Sequence, residues 1–131
     1  IIYMKTFAFL RESPLYERYR QINLPLISCG KYNGYVGIMD DSLPISEISV
    51  VSYNDYNSLL DCMVDVHGGI TFDGKFDEYS PIIPLTGIPA EWWMYRIVGF
   101  DCAHLGDTDE KWTFERTKKE TLRFRKQIEK I

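Results

Sequence analysis

Apolar and polar positions along the chain sort into a few readable stretches. Thr6-Phe7-Ala8-Phe9-Leu10 is a short apolar run that predicts an opening strand. Ser13-Pro14 then supplies an N-cap and a favoured first helical position. Leu15, Tyr16, Tyr19 and Ile22 follow at helical spacing, which predicts a helix over 14–22 that stops before Pro25. Gly34 to Met39 reads as a strand between turn residues, Asp40 to Pro44 as a loop, and Ile45 to Leu60 as mixed.

From Cys62 the alternation sharpens. Cys62, Val64, Val66, Ile70 and Phe72 share one parity and Asp65, His67, Thr71 and Asp73 the other, as in a half-buried strand. Gly68-Gly69 interrupts it like a bulge or a place where another backbone or a ligand comes close, and Asp73-Gly74 reads as a turn. Residues 78–91, with three prolines and a glycine, lack periodicity and suggest a lid or binding loop. Trp92 to Phe100 is apolar on both parities apart from Arg96, as in a central strand covered on both faces. A final helix is expected to start between Asp109 and Thr113 and to run to about Lys130. These elements add up to an α+β fold in one domain over residues 1–131: an antiparallel or mixed sheet of four to five strands, an early short helix, and a long C-terminal helix on one face.

Composition supports a folded globule, since 45% of the residues are apolar and 15% aromatic. The net charge of −4 argues weakly against nucleic acid as a partner. It is unevenly spread: from Glu115 onward seven Lys or Arg face three Glu, whereas the rest of the chain carries eight against sixteen acids. The basic tail reads first as the solvated face of a helix. Three cysteines, Cys29, Cys62 and Cys102, lack CxxC spacing, which argues against a zinc cluster and fits a reducing, cytoplasmic setting. No apolar run is long enough to span a membrane, and no charged-then-apolar leader is present.

Both histidines sit in short polar segments rich in glycine, His67-Gly68-Gly69 and Gly99-Phe100-Asp101-Cys102-Ala103-His104-Leu105-Gly106-Asp107. If the strands that carry them are neighbours, His67, Asp101 and His104 converge as candidate catalytic residues. Two imidazoles with carboxylates suit acid–base catalysis or a divalent metal, and the amides of Gly68 and Gly69 suit an anionic ligand. A bland reading stands beside this: Asp101 holds the loop amides of Ala103 and His104, with His67 as its buried partner. Asp107, ahead of Thr108, reads as a cap. Trp92, Trp93 and Tyr95 offer a stacking surface, with Trp93 beside the proline-rich loop, and Arg96 would need a carboxylate or a ligand phosphate as partner. No Walker loop, GxSxG elbow or HExxH motif occurs.

With Asn33-Gly-Tyr-Val36, His67-Gly-Gly-Ile-Thr-Phe72 and Gly99 to Asp107, the chain resembles a family of small bacteriophage and prophage proteins that share these three segments. The likeness covers roughly residues 32–107, and the stretch from Glu78 to Arg96 is longer here than is usual in that family. The resemblance implies a phage setting in the host cytoplasm and no agreed activity. It makes nucleotide signals of host immunity one class of ligand for a His/Asp site that binds, and could hydrolyse, a small polar or phosphate-bearing molecule. The alternative is a non-enzymatic protein that inhibits or recruits a host protein through an acidic, aromatic surface carrying Asp73, Asp77, Glu78, Asp109 and Glu110.

Overall fold

The structure is a computed structural model and describes residues 5–22, 28–39 and 63–131. The loop expected at 40–44, the mixed stretch at 45–60 and Cys62 lie outside the described residues. Five strands form one antiparallel sheet: β1 (Thr6–Glu12), β2 (Tyr32–Ile38), β3 (Phe72–Gly74), β4 (Ile83–Pro84) and β5 (Arg96–Phe100). Their order is β3-β5-β2-β1-β4. Helix α1 (Tyr16–Ile22) links β1 to the region before β2, and α2 (Phe114–Glu129) packs against β1 and β2. This is the expected α+β arrangement.

Strand alternation divides the core into two layers. Even-numbered Val36, Ile38, Val98 and Phe100 face α2, where Phe124 and Ile128 cover them with Val66, Cys102 and Trp112. Odd-numbered Phe7, Phe9, Tyr35 and Ile97 form the opposite layer with Trp92, and Phe76, Ile82, Ile88 and Trp93 pack over them. Because both faces are covered, β1, β2 and β5 are buried almost throughout. The proline-rich stretch 78–91 therefore serves as cover: Ile82 and Ile88 close the second layer, and β4 pairs with Phe9 and Leu10 of β1.

α2 starts where Thr113, in extended backbone, accepts the amide of Arg116 on its side chain. Its buried stripe is Thr117, Thr121, Phe124 and Ile128, with Ile131 left exposed. Two threonines are tolerated in a dry stripe because each hydroxyl donates to the carbonyl four residues back, at 2.8 Å for Thr117 and 2.7 Å for Thr121. They also allow close approach to the sheet, since a Cβ at Gly34 would collide with Thr121 and Phe100.

Three expectations change. Residues 64–71 form no strand despite their alternation. Val66 is buried and Val64 half-buried against the α2 side, and Thr71 N donates to Gly99 O of β5 at 2.9 Å without a ladder over 64–70. Asp73-Gly74 is not a turn but the end of β3, paired with Val98 and Ile97. Trp92 to Met94 is a 3-10 turn entered through Glu91 at φ 58°, so β5 begins only at Arg96.

Candidate functional site

The site forms where two tight turns meet beyond the end of β5. In the first, Gly69 N donates to Val66 O at 2.9 Å, and Gly68 occupies the third position with φ +70°. In the second, Asp107 N donates to His104 O at 2.8 Å, and Gly106 occupies the third position with φ +89°. A positive φ at that position is what glycine supplies at no steric cost, so each histidine segment carries a glycine for turn geometry. Gly68 has a second duty: a Cβ there would run into the His104 ring. The Gly69 amide is spent inside its turn and is not offered to a ligand.

These turns bring His67, His104 and Asp107 together. His67 Nε2 lies 2.8 Å from Asp107 Oδ2, and His104 Nδ1 lies 3.3 Å from the same oxygen. That oxygen also accepts the His104 amide at 3.0 Å. The two rings meet edge to face with centroids 5.1 Å apart. Asp107 is the buried member, its side chain 7% exposed against 25% for His67 and 37% for His104. Burial by itself would raise its carboxyl, but the hydrogen bonds from His67 and from the His104 amide outweigh that and hold it below the usual carboxylate range. It is therefore an anion at neutral pH, a fixed acceptor for both rings.

Asp107 is thus the hub and not the cap expected from Thr108; the cap of α2 is Thr113. The expected partner of His67, Asp101, instead accepts the Ala103 amide at 3.2 Å and stands 3.6 Å from His104 Nδ1, at the rim of the cluster. Trp93 and Arg96 are not brought to this place. Both belong to the opposite end of β5, where Trp93 packs on the second layer and Arg96 holds Asp73 through two bonds of 2.9 and 2.7 Å.

Several contributors carried little sequence signal. Glu120 of α2 accepts the His67 amide at 2.8 Å, and Trp112 stacks on the His67 ring with centroids 4.1 Å apart. Burial opposes ionisation of Glu120, yet the Arg123 guanidinium and the His67 amide bring its carboxyl below the ordinary value. A groove of about 320 Å³ runs beside His67, lined by Asp65, Trp112, Arg116, Lys119, Glu120 and Arg123. The guanidinium carbon of Arg116 lies 4.1 Å from the Trp112 ring centroid, while Arg123 is bound to Glu120 at 2.7 and 3.0 Å. The excess of lysine and arginine after Glu115 was the available hint of a cationic wall.

Chemically, the cluster offers an oriented imidazole. Asp107 fixes the tautomer and direction of His67, whose Nδ1 makes no hydrogen bond among the described residues. It also offers two nitrogens and one oxygen at metal-ligand spacing. Among the described residues no helix is long and apolar enough to cross a membrane. Compared with known protein families, with characterised proteins and with solved structures, the chain matches none.

Proposed function

We propose that this protein binds a small phosphate-bearing molecule at the His67–His104–Asp107 cluster and the groove beside it, with His67 as the acid–base group should the ligand be turned over. The observation that carries this reading is the groove itself, where His67 shares one lining with Arg116, Lys119 and Arg123. Three cations against Asp65 and Glu120 leave an excess of positive charge on a chain that is acidic overall. Guanidinium and ammonium groups suit phosphate oxygens, the former through paired donors and the latter as a point charge. The resemblance to phage proteins supports a setting in an infected cell, where nucleotide signals of host immunity belong to this class of molecule.

Burial of Trp92 and Trp112 favours a ligand site over an aromatic docking surface. The test is a thermal-shift screen with inorganic phosphate, pyrophosphate and mono- and cyclic nucleotides. A ligand at a hundredfold its dissociation constant adds about 2.7 kcal/mol, enough for a clear rise in Tm. The rise should vanish in Arg116→Ala/Lys119→Ala and weaken with added salt. A flat response to every phosphate compound at millimolar concentration would remove the reading. Host-protein capture that is indifferent to these substitutions would favour the interaction protein.

A further inference from the structure

We propose that His67 Nε2, His104 Nδ1 and Asp107 Oδ2 form a binding site for one divalent first-row transition ion of the zinc type. One ligand atom from each of the three residues lies within 4.8 Å of the others, and the carboxylate oxygen Oδ2 stands 2.8 and 3.3 Å from the two ring nitrogens. Ligands placed tetrahedrally at zinc bond lengths of about 2.0–2.1 Å stand roughly 3.3 Å apart, so the cluster needs only adjustments within side-chain reach to close around an ion.

The hydrogen-bond pattern points the same way. Two imidazole nitrogens and a backbone amide converge on the single oxygen Oδ2, while Oδ1 of Asp107 accepts nothing from the described residues. Both rings are aimed at the same carboxylate oxygen, so an ion entering between them would take ring lone pairs in place of the two N–H donations and keep that oxygen as its third ligand. Two nitrogens and one oxygen suit zinc, iron or manganese better than magnesium or calcium, which favour all-oxygen cages.

The donors are also held in advance. The His67 amide is tied to Glu120 and its ring lies on Trp112, Gly68 leaves room for the His104 ring, and Asp107 is locked in its turn by the bond to His104 O. Both histidines remain partly exposed, so an ion can enter and keep an open position, the arrangement of catalytic and not of structural zinc. This inference deepens the phosphate reading by supplying that site with a Lewis acid, and in the metal-bound form His67 is a ligand and no longer the acid–base group. It relies on that reading only for what the ion would meet, because metal binding is measured with no phosphate present.

The experiment titrates the chelator-treated chain with Zn²⁺ alone by calorimetry and with Co²⁺ by visible absorption. One ion per chain is expected, with nitrogen and oxygen ligation and no thiolate charge-transfer band. His67→Ala, His104→Ala and Asp107→Asn should each weaken Zn²⁺ binding by at least about tenfold, whereas Arg116→Ala/Lys119→Ala should leave it unchanged. No binding to the wild type, a cobalt–thiolate band, or affinities within twofold in all three variants would overturn the proposal. If circular dichroism shows that those variants lose their fold, proton NMR of the Co²⁺-loaded wild type decides. Paramagnetically shifted imidazole N–H signals from two histidines support the site, and their absence refutes it. Phosphate binding that survives without any metal binding leaves the groove reading standing alone; metal binding without phosphate does the reverse.

Discussion

His67 is held at three points, by Glu120 at its amide, Asp107 at Nε2 and Trp112 under its ring. Its neighbour Gly68 is equally constrained. Gly68→Ala would place a side chain in left-handed backbone and against the His104 ring, and should cost about 2 kcal/mol or more in urea unfolding. Glu120 offers a pH prediction. Its folded carboxyl lies below its ordinary value of 4.5, so the unfolded chain binds more protons in that window. The stabilisation is complete above pH 4.5 and is lost as pH falls through the folded value. Glu120→Gln should flatten acid unfolding below pH 4.5, measured as Tm against pH. Cys102 is buried and its thiol is pushed up to about 12, so native protein should resist alkylation there until it unfolds, as read by mass spectrometry. At this scale the sequence marked His67, His104 and Asp101 as site residues but misjudged Asp107. A carboxylate followed by threonine looks like a cap, and only the turn closed at Gly106 swings it back onto both rings.

Among the elements, those with a covalent or capping signature were readable. Pro14 and the periodicity after it placed α1, and Thr113 with the run behind it placed α2. Thr113→Ala should destabilise by about 1 kcal/mol through loss of the cap. Phe124→Ala, which empties the fully buried centre of the α2 stripe, should cost about 3–5 kcal/mol, both checked by chemical denaturation. The misread elements share one cause: apolar spacing reports burial, and burial has more than one source. Val64 and Val66 alternate like strand residues because they lean on the α2 layer, yet this stretch lacks a continuous ladder. Trp92 and Trp93 look like strand for a similar reason, but the left-handed Glu91 starts a 3-10 turn that tucks both indoles into the second layer. The basic face of α2, first read as solvated, is divided. Arg116, Lys119 and Arg123 line the groove, while Arg125 reaches Thr6 at 2.9 Å.

Among the described residues, α2 covers one face of the five-stranded sheet and a long proline-rich segment covers the other, which gives both faces apolar contacts to fill. The arrangement of that cover was not readable beforehand, because the stretch 78–91 shows no period and earns its place only through contacts with β1 and the second layer. The bond between the first strand and the last helix has a further consequence. Thr6 donates to Glu129 at 2.7 Å and accepts from Arg125, contacts that bridge 123 and 119 residues. β1 is also an inner strand of the sheet, so an early segment can be fully enclosed only after the latest one arrives. On the ribosome, the apolar β1 would wait for α2, and the turn bearing His67 would lack its Glu120 anchor for the same interval. Nascent chains stalled before Phe114 has emerged should therefore be sensitive to protease throughout and inert toward ligands. Resistance and binding should then arise in the same step once α2 clears the exit tunnel.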